Sequence, residues 1–248
     1  RAALAEKLHR ENEVPYRPEE IIVTIGAIEA LTVAMMAFVE SGDEVVIVEP
    51  CFVNYTAIVR LCGGTPIFVS LAVEDGFSLL PSRLLERISP RTKVIMPVDF
   101  AGFPCDYEEI MQIVNDADVR KIFIPGSAEQ EMLGRILVLS DSAHSLGALY
   151  KGRRAGALAD ISVFSFHAVK NLSTAEGGAV ALHLPEPFDN AALYAKLCVT
   201  SLHGQNKDAL AKSMKGGWRY DIVEAGYKCN MTDIMAAMGL VELERYED

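Results

Sequence analysis

Short apolar runs alternate with stretches of helical periodicity along most of the chain. The runs IIVTIG, EVVIVEP, PIFVSL, KVIMPV and RILVLSD are rich in β-branched residues and end at glycine, proline or polar residues, as buried strands do. Between them, helical spacing runs from Ala27 to Glu40, near Asn54 to Leu61, and through SRLLERI and DYEEIMQIV. This alternation predicts an α/β fold, a three-layer α/β/α sandwich whose mostly parallel sheet is covered by helices.

The last third of the chain has a less regular pattern. After Asp141, DISVFSF and GGAVALH are typical of short strands, and helices are predicted near Asn190 to Val199 and Thr232 to Tyr246. Between Asp118 and Arg135, KIFIP is open to interpretation as an extra strand and GSAEQEMLG as a surface insertion. Because no linker or repeat interrupts the pattern, we expect a single domain over 1–248.

Composition narrows the classes of partner. A formal net charge of −11 gives the 248-residue chain no general attraction to nucleic acid or to an anionic membrane. No apolar run reaches the roughly 18 residues of a membrane-spanning helix, no signal-peptide pattern opens the sequence, and the five cysteines lack CxxC spacing. We therefore expect a cytoplasmic protein with reduced thiols, no nucleic-acid or membrane partner, and no metal site.

Three predicted strand ends carry polar residues that suit a small-molecule site, since ligands collect at the carboxyl ends of parallel strands. Gly26 and Ala27 start a helix whose free N–H groups suit a phosphate, although glycine there is also a plain turn. Asp141 suits a protonated ring nitrogen, or alternatively a helix N-cap. Lys170, among small and apolar residues, suits a nucleophilic amine, although an isolated lysine is usually a solvated surface group.

Three motifs in the second part of the chain carry a family resemblance. The segments DSAHSLGALYKGRRAG, DISVFSFHAVKNLSTAEGGAV and WRYDIVEAGYKCNMTDIMAAMGLVELE resemble, in order and spacing, the sugar-nucleotide aminotransferases of the DegT and DnrJ type, from about residue 97 onward. The resemblance implies pyridoxal 5'-phosphate (PLP) as cofactor, the large domain of the aspartate-aminotransferase-like fold (fold type I), and a homodimer.

The resemblance also implies roles for single residues. Lys170 in SFHAVKN looks like the Schiff-base lysine, and Asp141 in SDSAH looks like the partner of the pyridine nitrogen. His144 stands where many relatives have glutamine, and its contact is the cofactor ring or its hydroxyl. Ser165 looks like a phosphate ligand, and Asn230 matches a residue that reaches the cofactor phosphate of the neighbouring subunit.

The first part of the chain resembles a different branch of the same fold. Residues 1 to about 95 are similar to class I/II amino-acid aminotransferases, with the phosphate loop at Gly26 and Ala27 and Phe52 as the ring that stacks on PLP. Ile28 replaces the hydroxyl residue common in that loop, and a core aromatic is the alternative for Phe52. The chain therefore looks like a mosaic, an engineered chimera or a fragment, with no counterpart of the small C-terminal domain.

Lysine at position 170 decides the expected reaction. Some relatives that dehydrate sugars have histidine at this position, so the resemblance favours transamination from a donor such as glutamate to a nucleotide-linked keto sugar. A class I/II amino-acid aminotransferase, supported by the first part of the chain, and a PLP-fold module without efficient catalysis are the alternatives.

Overall fold

The computed structural model describes residues 1–12, 14–207, 212 and 214–246. Its helices are α1 (Ala2–Asn12), α2 (Ala27–Phe38), α3 (Tyr55–Leu61), α4 (Pro81–Leu85), α5 (Tyr107–Asn115), α6 (Ala117–Ile122), α7 (Ala128–Leu133), α8 (Asn190–Ser201) and α9 (Asp233–Glu244). Its strands are β1 (Ile21–Thr24), β2 (Glu44–Glu49), β3 (Thr65–Ser70), β4 (Thr92–Met96), β5 (Leu137–Asp141), β6 (Leu149–Tyr150), β7 (Arg153–Arg154), β8 (Ile161–Ser165) and β9 (Gly178–Leu182).

Seven strands form one sheet in the order β1-β9-β8-β5-β4-β2-β3. Neighbours from β8 to β3 are parallel, whereas β9 runs antiparallel to both β8 and β1. β6 and β7 form a separate two-stranded hairpin. The mostly parallel sheet predicted from the alternation is confirmed, and it brings the carboxyl ends of β4, β5 and β8 to one edge.

The sheet is buried on both faces because successive side chains of each strand point to opposite sides. One face carries Val45 and Ile47 of β2 and packs against α2, α3 and α8. The opposite face carries Val46 and packs against α4, α5 and α6, and α1 covers the part of that face formed by β1, β8 and β9. The expected three-layer α/β/α sandwich is therefore observed.

The stretch that the sequence left open is helical. Residues 117–122 form α6, so KIFIP is not an extra strand. The side chain of Asp116 explains this, since it accepts hydrogen bonds from the backbone N–H groups of Asp118 and Val119 at 2.8 and 3.2 Å and caps the helix. The segment GSAEQEMLG contains α7, which Ser127 caps. Within the described part of the chain, no helix is long and apolar enough to cross a membrane.

Candidate active site

The carboxylate of Asp141 lies at the edge of the sheet where β5 ends. The residue is 6% exposed. One carboxylate oxygen accepts the backbone N–H of Ala143 at 2.9 Å, and the other accepts the hydroxyl of Tyr55, the first residue of α3. Burial, together with the nearby Asp141 charge, raises the pKa of Tyr55, so the tyrosine stays protonated and donates. A carboxylate has about four lone-pair positions, so Asp141 keeps acceptor capacity for a ligand.

Lys170 lies close enough to this edge for its charge to act on His144. Lys170 lies in the loop between β8 and β9, where its backbone N–H donates to the carbonyl of His167 at 2.9 Å. Its side chain is half-buried, and Nζ makes no hydrogen bond or ion pair with any residue that the structure describes. Burial and the charge of Lys170 lower the pKa of His144, while Asp141 opposes them. The three side chains therefore form one electrostatic cluster.

Gly26 and Ala27 open α2 as the sequence predicted. Gly26 is the N-cap residue, and a side chain placed there would meet no atom within 4 Å, so the space beside the Cα atom of Gly26 is open. The close approach belongs to Gly178 in β9, where a Cβ atom would lie 2.7 Å from the carbonyl carbon of Gly26 and 2.8 Å from the nitrogen of Ala27. Glycine at 178 therefore lets β9 carry this turn against the sheet.

The remaining predicted residues lie around this cluster. The ring of Phe52 is 51% exposed and meets the ring of Tyr55 edge to face at 5.9 Å, so it is not the core aromatic that the sequence left as an alternative. Ser165 ends β8, and its hydroxyl accepts the backbone N–H of His167 at 3.3 Å. Asn230 is exposed and hydrogen-bonds locally, to Lys228 and to the carbonyl of Met231.

The structure brings together Asp141, His144 and Lys170, and Tyr55 links Phe52 to them. It does not bring the side chain of Asn230 into hydrogen-bond contact with any of these among the described residues. Asn230 nevertheless lies in a segment close to the glycines after Lys170, because Met231 packs so near Gly177 that a Cβ atom there would be 2.5 Å from the methionine methyl group.

Sequence reasoning missed two features of this region. Tyr55 was not identified as a partner of Asp141, which lies 86 positions away in the sequence. Glu29, in the first turn of α2, was not singled out although a carboxylate there can cap the preceding turn. One of its oxygens accepts the backbone N–H of Ile25 at 2.7 Å, and the other is buried without a hydrogen-bond partner among the described residues. Burial raises the pKa of Glu29 to about 7.

Two protein families match different parts of this chain. Residues 130–248 match the DegT/DnrJ/EryC1/StrS aminotransferase family, and residues 1–98 match aminotransferase class I and II. The first match begins later than the motif-based boundary near residue 97, while the second agrees with the boundary near residue 95.

Curated relatives span more than this chain does. An uncharacterised protein of Methanocaldococcus jannaschii, MJ1066, is 35% identical over 210 residues, which are 84% of this chain and 48% of that protein. The spore coat polysaccharide biosynthesis protein SpsC of Bacillus subtilis is 34% identical over 208 residues, 84% of this chain and 47% of that protein. The chain therefore spans about half the length of the curated relatives it matches.

Solved aminotransferase structures match the fold of nearly the whole chain. A PMP-form structure of Spr1654 from Streptococcus pneumoniae, assigned as a sugar aminotransferase, matches with a TM-score of 0.88 and 40% identity over 98% of this chain and 60% of that one. DesI, solved with its TDP-sugar product, matches with a TM-score of 0.69 and 26% identity over 98% of this chain and 52% of that one. This chain therefore has the fold of the PLP-dependent aminotransferases of fold type I, and its sequence is similar to two aminotransferase families.

Proposed function

We propose that this chain is the cofactor-binding large domain of an aminotransferase that moves an amino group from an amino acid such as glutamate to a keto group of a nucleotide-linked sugar. The observation that carries the proposal is the amine of Lys170, which has no partner among the described residues and whose charge, like that of the buried Asp141 carboxylate, acts on His144. The sugar substrate is inferred from the relatives, which include SpsC, Spr1654 and, for the nucleotide, DesI with its TDP-sugar product.

The residues present fit PLP chemically. The buried carboxylate of Asp141 suits a protonated pyridine nitrogen, since a charged hydrogen bond is strong where water is excluded. The open turn at Gly26 and Ala27 offers backbone N–H groups to a phosphate at the positive end of α2. The half-exposed ring of Phe52 offers a face for stacking, and the hydroxyl of Ser165 offers a further hydrogen bond.

Each residue then has a defined task. When bound, PLP supplies an aldehyde that captures amines and a protonated ring that accepts electrons. The Nζ atom of Lys170 would hold the cofactor through its aldehyde and, as a free amine, would move a proton at the donor's α-carbon. Asp141 keeps the proton on the ring nitrogen, Phe52 orients the ring from one side, and Gly26, Ala27 and Ser165 bind the phosphate.

The proposal includes a homodimer whose second copy covers the C-terminal segment. Helix α9 exposes Ile234, Met238, Leu240 and Val241, and among its described residues only Gly239 is buried. An apolar helix exposed to this extent is typical of an interface. Asn230 lies in the same exposed segment, where it can reach a phosphate bound by the other copy. The proposal also includes a cytoplasmic location, which the five free thiols support.

Borohydride trapping tests the assignment of Lys170. Purified protein is loaded with PLP, reduced, digested and analysed by peptide mass spectrometry. We expect the cofactor mass on Lys170, no labelled peptide in Lys170→Ala, and full labelling in Lys151→Ala, which removes an exposed lysine paired with Glu108. A label elsewhere, or equal labelling of Lys170→Ala, would refute the proposed site.

Substrate tests separate the sugar reaction from its nearest alternative. The match of residues 1–98 to class I and II enzymes favours an amino-acid aminotransferase as the second candidate. In the PLP-loaded protein that has not been reduced, glutamate should convert the absorbance of the bound cofactor to that of its aminated form. A TDP-linked keto sugar should then restore the original absorbance faster than 2-oxo acids do. Faster restoration by a 2-oxo acid would favour the second candidate, and labelling without turnover would indicate a PLP-binding module.

Removing the hydroxyl of Tyr55 tests its contact with Asp141. Tyr55→Phe keeps the ring beside Phe52 but removes the hydrogen bond to the carboxylate. We expect kcat/KM to fall about 10- to 100-fold, since hydrogen bonds to charged groups contribute about 1.5–3 kcal/mol. Tyr150→Phe is the matched control, because Tyr150 also donates to an aspartate, Asp106, but on an exposed surface. Equal, small effects of both variants would show that Tyr55 does not position Asp141.

A further inference from the structure

The segment after β4 continues alongside the end of β5. Val98 forms a parallel bridge with Asp141. The backbone N–H of Asp99 donates to the carbonyl of Asp141 at 3.0 Å, and the N–H of Asp141 donates to the carbonyl of Pro97 at 2.9 Å. Residues 98–103, called the 98–103 loop below, are therefore fixed to the strand that ends in Asp141.

The carboxylate of Asp99 ties this loop to the turn that follows Asp141. Asp99 is 1% exposed. One oxygen accepts the hydroxyls of Ser145 and Ser142 at 2.7 and 3.2 Å. The other accepts the hydroxyl of Tyr107 at 2.7 Å and the N–H of Cys105 at 3.2 Å. Because the two serines flank His144, Asp99 restricts the backbone on both sides of the histidine.

Two left-handed residues then turn the loop towards the His144 ring. Ala101 has φ 53° and Gly102 has φ 82°, a conformation that L side chains rarely adopt. A Cβ atom at Gly102 would lie 3.1 Å from the carbonyl oxygen of His144, so the loop also approaches the histidine backbone closely. In this turn the N–H of Ala101 donates to Nδ1 of His144 at 3.2 Å.

A ring nitrogen that accepts a hydrogen bond from a backbone N–H cannot itself carry a proton. We infer that the 98–103 loop holds His144 as the neutral Nε2–H tautomer, with Ala101 as the positioning residue, so that His144 acts towards a ligand as a hydrogen-bond donor and not as a base. The inference rests on the proposed function only in naming PLP as that ligand.

The surroundings of His144 on balance also favour its neutral form. Burial is the largest cause that lowers its pKa, and the positive charge of Lys170 adds to it. The carboxylate of Asp141 opposes them without reversing the shift. The ring of Phe100, 6.2 Å from the His144 ring, covers it from the side of the loop. The imidazole therefore remains neutral to a lower pH than a solvated histidine does.

Nitrogen NMR reads the tautomer directly. Long-range proton–nitrogen correlations of histidine-labelled, PLP-loaded protein should show a pyridine-like Nδ1 and a pyrrole-like Nε2 for the signal that disappears in His144→Gln. The same pattern should remain after the cofactor is removed, because the hydrogen bond from Ala101 belongs to the protein. A pyridine-like Nε2, or two pyrrole-like nitrogens at pH 7, would overturn the inference.

A pair of substitutions at one position tests the role of the loop. Ala101→Gly keeps the N–H and favours the positive φ, so the tautomer should not change. Ala101→Val places a β-branched residue where φ is positive, which should displace the N–H and shift the tautomer ratio about 2- to 10-fold, the equivalent of one hydrogen bond. An unchanged ratio in a folded Ala101→Val protein would show that the loop does not set the tautomer. Borohydride labelling of Lys170 in both variants reports the proposed function separately.

Discussion

Replacing Asp141 with asparagine is expected to lower the rate constant of the amino-donor half-reaction by about 10²- to 10³-fold at saturating PLP, because breaking a buried charge pair costs about 3–5 kcal/mol. The amide keeps the size of the side chain and can still accept the hydroxyl of Tyr55, but it cannot keep a proton on the ring nitrogen. Stopped-flow absorbance after addition of glutamate measures the effect.

The matched control for this variant is Asp106→Asn. Asp106 also accepts a hydrogen bond from a tyrosine, Tyr150, but its side chain is exposed. It has no assigned part in binding the cofactor. We expect it to change the half-reaction less than twofold. If Asp141→Asn bound PLP and reacted within tenfold of the unmodified protein, another group would have to hold the ring nitrogen.

The second large effect is on stability and concerns Glu29. The folded protein raises the pKa of Glu29 from 4.5 to about 7, because the side chain is buried. The protonated form is therefore the one that folding favours, so the protein loses stability as pH rises from 4.5 through about 7. Converted at about 1.4 kcal/mol per pKa unit, the cost at pH 8.5 is about 3 kcal/mol, most of which develops between pH 5 and pH 8.5.

Glu29→Gln removes this cost because the amide does not ionise. The unfolding free energy of Glu29→Gln, measured in urea with saturating PLP, should exceed that of the unmodified protein by about 2–3 kcal/mol more at pH 8.5 than at pH 5. Glu19→Gln, which removes the same charge from an exposed side chain, is the control. An identical difference between the two proteins at both pH values would mean that Glu29 is already ionised in the fold at pH 5.

The sequence was sufficient to predict the parallel strands and the polar residues at their carboxyl ends. Apolar runs of β-branched residues located the strands, and parallel pairing then placed Asp141 and the loop of Lys170 at one edge. It was insufficient for β9, whose antiparallel direction depends on a loop returning through Glu176, Gly177 and Gly178 and not on any local pattern. The prediction for residues 118–135 stayed open because the apolar run KIFIP is also typical of a strand. In the structure, the side chain of Asp116 caps a helix that begins at residue 117.

Contacts between distant segments explain what was missed in the site. The hydroxyl of Tyr55 and the N–H of Ala101 each meet a partner from another part of the chain, 86 and 43 positions away. No spacing rule links such residues. A family resemblance assigns roles to motif positions, but it does not reveal that a backbone N–H from the 98–103 loop determines which nitrogen of His144 carries the proton.

The strand order also shows how the two segments that match different family models combine in one sheet. The segment that matches class I and II enzymes supplies β1 at one edge of the sheet and β4, β2 and β3 at the other. The segment that matches the DegT family supplies β5, β8 and β9 between them. The two matched segments therefore meet along two seams at once, β1 against β9 and β4 against β5, so each segment contributes strands that the other needs to complete this sheet.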